Sequence, residues 1–320
     1  MNDERRFGIY IPQVSLRYDE IVDRARLCEE LGFDSFWLYD HLYTPGLPDN
    51  DAFEGWTLAT AVLTATTRLR VGHLVVNNNL RHPALLGKMA TTLDVISGGR
   101  LELGIGSGSY EPEHHEAGIA WGSARERAER LEETLEIVTR MFSGERTTFA
   151  GRHYQVRDLA NRPPPVQQPR PPIHVGGVGE RHTLPLVARF ADVWNVPTYA
   201  LDRWEQKSAV LDSLCEAAGR DPASIRRSVE AVLVLAPDDA DLADAVGRAE
   251  RRYPGPGWGL HEGGFVGTPA AVVDRIGQLA ERGIDLFVFL PSDRGSEATL
   301  RLLAEEVMPH FSTPVRPGTA

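Results

Sequence analysis

Lysine is almost missing from this chain: of its 34 basic residues, only Lys88 and Lys207 are lysines. Neither falls at the end of a predicted strand, which counts against Schiff-base chemistry in a barrel. Cysteine is as scarce. Cys28 and Cys215 share no short spacing, which excludes a disulfide scaffold and a cysteine-rich metal site, and both read as small buried residues. No apolar run approaches the ~18 residues of a membrane helix. The polar start, Met1 to Arg6, runs straight into Phe7-Gly-Ile-Tyr-Ile11 and leaves no room for a signal peptide's apolar core. A cytoplasmic protein with no membrane partner is expected. Positive charge is also short, with 45 acidic residues and a net charge of -11. Such a field repels phosphate backbones and argues against a nucleic-acid partner. The chain has no Gly-x-Ser-x-Gly elbow, no GxGxxG fingerprint and no P-loop lysine. The His-x-His pair of metal-dependent barrel hydrolases is missing after the first strand, and no metal is expected.

What is present is an ordinary globular composition, 42% hydrophobic and 25% charged, over 320 residues. Apolar runs predict strands near 7–11, 35–39, 69–76, 101–105, 173–176, 192–195, 229–236 and 285–290. Several lack alternation, as in a parallel sheet buried on both faces. Helical stripes lie between them: Tyr18, Ile21, Val22, Ala25 and Cys28; Leu86, Met89, Ala90 and Leu93; Leu131, Leu135, Val138 and Phe142. Ser123 and Glu126 have capping-box spacing, and Thr268-Pro269 opens a later helix. Two helix exits look alike, with Gly32 and Gly283 at the left-handed cap position before a strand. Eight such units fit an α/β fold of the (β/α)8 TIM-barrel type as one domain over residues 1–320. A doubly wound open sheet shares the same local pattern. Insertions fall at 45–56, at 143–172 and at 253–265. The second holds a hairpin turning at Ala150-Gly151 and a proline-rich strap. The third reads as a lid.

In a barrel, ligands meet the C-terminal ends of strands. Asp40-His41 follows strand two, Asn77 and Arg81 strand three, Gly106 to Tyr110 strand four, and Gly177 to Arg181 strand five. Either glycine cluster alone reads as a tight turn needing positive φ. Both on one rim suit a phosphate-bearing ligand. His41 suits proton transfer at neutral pH, and Asp40-His41 can equally close the strand by hydrogen bonding. Adjacent His114 and His115 read as loop residues. The pocket is expected to be walled by 45–56 and by the lid, and Trp37 and Trp194 are expected near strand ends.

Asp40-His-Leu42, Arg81-His-Pro83, Leu93-Asp-Val-Ile-Ser-Gly-Gly-Arg100, Val166-Gln-Gln-Pro169 and Ala191-Asp-Val-Trp-Asn195 together resemble the luciferase-like flavin-barrel superfamily. The cadence is most similar to its deazaflavin (coenzyme F420)-dependent branch. The resemblance implies an oxidoreductase acting on a small-molecule substrate, with hydride transfer at C5 of a ring lying in the barrel mouth. A flavin mononucleotide (FMN) monooxygenase using reduced flavin and O2 is the alternative, and a homodimer is implied. It assigns His41 and Asp40 to catalysis, Asp40 also to the ring, and Val76 and Asn77 to its side. A non-prolyl cis peptide is implied at His73-Leu74, where both residues would support the ring. Gly106, Ser107 and Ser109 match the strand-four loop, and Gly176, Gly177, Val178 and Gly179 match the loop that receives phosphate. Ser109 and Pro45 stand where the sugar-phosphate dehydrogenases of this superfamily carry an acidic residue and a tryptophan.

Overall fold

Eight parallel strands close on themselves. The computed structural model describes residues 5–253 and 259–311. Its first half forms β1 (Arg6–Tyr10), α1 (Tyr18–Glu30), β2 (Ser35–Leu38), α2 (Gly55–Ala65), β3 (Arg70–His73), β4 (Val76–Asn77), α3 (Pro83–Ser97), β5 (Leu101–Gly106), α4 (Glu111–Glu116) and α5 (Ala124–Phe142). A hairpin, β6 (Thr147–Ala150) and β7 (Gln155–Leu159), precedes β8 (Ile173–Gly176), α6 (Thr183–Phe190), β9 (Val193–Pro197) and α7 (Trp204–Ala217). Then come β10 (Arg226–Leu235), α8 (Asp239–Arg252), α9 (Leu260–Gly263), β11 (Phe265–Gly267), α10 (Pro269–Glu281), β12 (Leu286–Pro291) and α11 (Glu297–Glu306). Pairing runs β1-β2-β3-β5-β8-β9-β10-β12. It returns to β1, where Arg6 pairs with Leu286 and Ile9 with Phe289, so the open sheet is ruled out. Short β11 adds to the edge of β10. Its three residues are too few to leave a periodic signal.

The third barrel strand is broken. Its ladder to β2 holds through His73, paired with Leu38, and Leu74 N–H still donates to Leu38 O at 2.8 Å. Pairing on β5 resumes at Val76. The cis peptide joins Leu74 to Val75, one residue later than His73-Leu74, because the β2 ladder keeps His73 in register.

Glycine and tryptophan share the barrel's interior. Trp37 is fully buried, and a Cβ on Gly8 or Gly72 would come within 2.7 Å of its ring. Trp37, one residue before the end of β2 as expected, thus fills the barrel interior without lining the mouth cavity, because β1 and β3 offer no side chains beside it. Beside it, Glu102 on β5 bonds His174 on β8 at 2.6 Å and pairs with Arg70. Burial pushes Glu102 up, but His174 and Arg70 outweigh it and hold the carboxyl down at about 2.

Outside the strands, Ile21, Val22, Ala25 and Cys28 bury one face of α1, while Tyr18 in the first turn stays 49% exposed. The Ser123–Glu126 capping box forms, and Gly32 and Gly283 take φ of +83° and +92°. The hairpin closes with Gly151 N–H donating to Tyr154 O at 2.9 Å. No helix among the described residues is long and apolar enough to cross a membrane.

Candidate active site

The C-terminal mouth encloses a cavity of about 410 Å³. Tyr10, Tyr39 and His41 line it from β1 and β2, and Leu74, Val75, Val76 and Asn77 from the broken strand. Gly106, Ser107, Gly108 and Ser109 follow, then Gly176, Gly177 and Thr183, then Asn195, Pro197, Tyr199 and Glu230.

His41 is held rather than free. Its Nδ1 lies 2.8 Å from Glu113 Oε1, and Glu113 Oε2 accepts from Leu42 N–H at 3.1 Å. Asn77 Nδ2 donates to the same Oε1 at 3.3 Å. Glu113 is fully buried in α4, directly behind the strand-four loop. A carboxylate at Nδ1 keeps the proton on that nitrogen and leaves Nε2 as the acceptor, the arrangement a proton-transfer histidine needs.

Asp40 is 2% exposed and does not line the cavity. Its carboxylate pairs with Arg81 at 2.6 Å and 2.8 Å and accepts from Asn77 N–H at 2.9 Å. It therefore fixes Asn77 and the chain entering His41 from behind. His73 is also away from the cavity. It is fully buried against Trp56, with ring centroids 4.8 Å apart, and burial pushes its pKa down. Side chains alternate along a strand, so His73 faces α2 while Leu74 faces the mouth. His114 and His115 lie on α4 and not in a loop. His114 is fully buried, with Nε2 3.2 Å from Asn77 Nδ2 and Nδ1 2.9 Å from Tyr110 O.

The glycine loops divide by purpose. A Cβ on Gly104 would sit 2.1 Å from His73 O, and one on Gly106 2.7 Å from Val75 Cγ2. These glycines make room for the bulge and for Val75. Gly177, at φ +117°, turns the chain toward α6. Trp194 Nε1 donates to Gly177 O at 2.8 Å and so anchors that loop. Thr183 N–H and Leu184 N–H both donate to Gly179 O at 2.9 Å, which starts the helix. Val178 and Gly179 stand just behind the lining, toward the positive end of α6. A side-chain-free wall from Gly106 to Gly177, leading to a helix N-terminus, fits a flat ring carrying a phosphate.

Residues 45–56 do not wall the cavity: Ala52 bridges Val14, and Leu47 bridges Thr44. Of the expected lid, 254–258 lie outside the described residues, while Gly259 and Gly263 pack on Thr198. Sequence reasoning missed Glu113 and Glu230, along with Tyr10, Tyr39, Tyr199 and Thr183. Glu230 had a visible signal as the one charge in Val229-Glu-Ala-Val-Leu-Val-Leu235. Burial pushes its carboxyl up to about 7.

A closed parallel barrel with a fixed histidine at its C-terminal mouth is an enzyme architecture with its chemistry on that face. The chain belongs to the luciferase-like monooxygenase family, whose model matches residues 5–263, and is an oxidoreductase of that family. It is similar to an F420-dependent glucose-6-phosphate dehydrogenase of Microbacterium testaceum, 32% identical over 73% of this chain and 69% of that protein. It is also similar to an F420-dependent hydroxymycolic acid dehydrogenase of Mycobacterium tuberculosis, 28% identical over 74% of this chain and 64% of that one. The solved coenzyme F420-dependent tetrahydromethanopterin reductase of Methanopyrus kandleri superposes with a TM-score of 0.81 at 19% identity. That superposition covers 97% of this chain and all of the other, and shares the fold.

Proposed function

We propose that the chain is a deazaflavin (coenzyme F420)-dependent oxidoreductase acting on a small organic molecule. The observation that carries this reading is His41, pinned by buried Glu113 at the lip of a cavity whose opposite wall is two glycine loops. The F420-dependent relatives support the choice of cofactor. When bound, the deazaflavin supplies or accepts a hydride at its C5. Leu74, Val76 and Asn77 would hold the ring together with Gly106, Ser107 and Ser109. Gly176, Gly177, Val178 and Gly179 would hold the phosphate. His41 Nε2 takes or gives the proton that accompanies the hydride, Glu113 orients the ring, and Asp40 with Arg81 keeps Asn77 in place. The monooxygenase name of the family supports FMN as the second reading.

Titration of both cofactors against tryptophan fluorescence separates the two. Trp194 touches the Gly177 loop, so Trp194→Phe should abolish the quench and Trp37→Phe should keep it. Tighter binding of FMN than of deazaflavin overturns the first reading. The reading includes a cytoplasmic homodimer. Leu85 and Ile96 on α3, 54% and 49% exposed, support the pairing face, and a solution mass of 35.3 kDa across concentrations would refute it.

A further inference from the structure

We propose that Glu230 is the substrate-recognition residue, donating a hydrogen bond to a substrate oxygen, and that the cavity selects a neutral carbonyl or alcohol compound and rejects anions. This rests on the deazaflavin reading and names the substrate class for it. Two independent features carry it.

The first is charge. No lysine or arginine is among the described residues that line the cavity. Apart from its tyrosines, its ionisable side chains are His41 and Glu230. A substrate phosphate or carboxylate entering past the cofactor would lose its hydration beside a carboxyl, with no cation to compensate. The two lysines of the chain are elsewhere: Lys88 is bonded to Arg162 O, and Lys207 pairs with Glu180 at 2.6 Å.

The second is geometry. Glu230 lies on β10 between Pro197 of β9 and Val288 of β12, neither of which brings a charge. Tyr10 of β1 and Tyr199 after β9 lie close to it in the same cavity, and Tyr39 and Tyr253 lie close to Tyr10. Arg203 acts on Tyr199, and among the described residues no cation faces the carboxyl itself. Among the described residues the carboxyl has no hydrogen-bond or ion-pair partner. The backbone carbonyl of Glu230, by contrast, accepts from Thr198 Oγ1 at 2.5 Å. An unpaired carboxyl in an aromatic ring of this kind stays protonated near neutrality, and a protonated carboxyl donates. Burial also raises Tyr10 and Tyr199, so the surrounding phenols stay protonated and uncharged. The site is a neutral, aromatic-walled donor pocket, suited to an oxygen on an otherwise apolar molecule.

Two experiments test this. Infrared difference spectra of the cofactor-free protein, native against Glu230→Gln, should show a protonated carboxyl lost with a midpoint near neutral pH. A midpoint in the ordinary glutamate range overturns the proposal, and this arm needs no cofactor, so it fails separately from the deazaflavin reading. In the deazaflavin-loaded protein, cyclohexanone should bind more tightly at pH 6 than glucose 6-phosphate. Its affinity should fall about tenfold by pH 9, the loss of one hydrogen bond. Glu230→Gln keeps a donor of the same shape and should remove that fall. Because His41 is unchanged in the variant, its titration is common to both proteins. Glucose 6-phosphate binding as tightly as cyclohexanone, or the same pH dependence in Glu230→Gln, overturns the proposal.

Discussion

Replacing Glu113 by glutamine removes the one carboxylate that, among the described residues, reaches the His41 ring. In the native protein Oε1 lies 2.8 Å from His41 Nδ1 and 3.3 Å from Asn77 Nδ2, and Oε2 accepts from Leu42 N–H at 3.1 Å. Both oxygens accept, and every group facing them is a donor. Glutamine offers one oxygen and one NH2, so one donor must meet another. If the amide nitrogen faces Leu42, a half-buried backbone N–H loses its acceptor. If it faces His41, the ring must move its proton to Nε2, the nitrogen needed as acceptor. A hydrogen bond to a buried charged group contributes ~1.5–3 kcal/mol, so the midpoint of unfolding should fall by about that much. General acid–base catalysis supplies ~10²–10⁴-fold, so hydride transfer should slow by about that factor in the variant that flips the ring. Nitrogen NMR of the imidazole reads the tautomer directly, and denaturant melts read the stability. A ring still protonated at Nδ1, with native turnover and native stability, would refute the reasoning.

Two further predictions concern the barrel itself. Glu102 is held at about 2, so its stabilising contribution is present above the ordinary glutamate value and is lost as pH falls from about 4.5 toward 2. Denaturant melts should therefore show native protein and Glu102→Gln separated by about 3 kcal/mol near neutral pH and converging in acid; parallel acid limbs would contradict it. Gly104→Ala would place its Cβ 2.1 Å from His73 O, against backbone that cannot rotate away. Overpacking costs ~1–3 kcal/mol where side chains give, so this change should exceed that, and a near-native melt would contradict it.

The barrel was legible because its signals repeat: apolar runs of strand length, helical stripes and positive-φ exits at Gly32 and Gly283. Tyr18 fell on the wrong side because the first turn of a helix fans out past the core it feeds. The cis bond was displaced by one residue because spacing alone cannot tell where a ladder stops, whereas the Leu38–His73 pairing can. Glu113 was illegible for a different reason. It is one of three carboxylates in the short helix Glu111–Glu116, and only the packing of α4 under the strand-four loop selects it.

The family-specific run Leu93-Asp-Val-Ile-Ser-Gly-Gly-Arg100 spends its polar groups on the protein's own backbone and lies outside the lining of the mouth cavity. Asp94 is fully buried, and its Oδ2 accepts from Val166 N–H at 2.6 Å and Gln167 N–H at 3.0 Å, tying the proline-rich strap to α3. Gln167 reaches on to Leu101 O at 2.8 Å, at the foot of β5. Arg100 donates to Leu63 O, Leu69 O and Thr66 Oγ1, closing the end of α2 onto the barrel. Asp94 is a buried charge and Arg100 a half-buried one, both satisfied mainly by backbone, which leaves little freedom of residue type. Such a motif fixes where strands four and five begin, and hence where Ser107 and Gly177 end up. It does not touch what binds between them. Family membership is therefore strongly encoded in this chain, while substrate choice rests on isolated residues such as Glu230 that no repeating pattern announces.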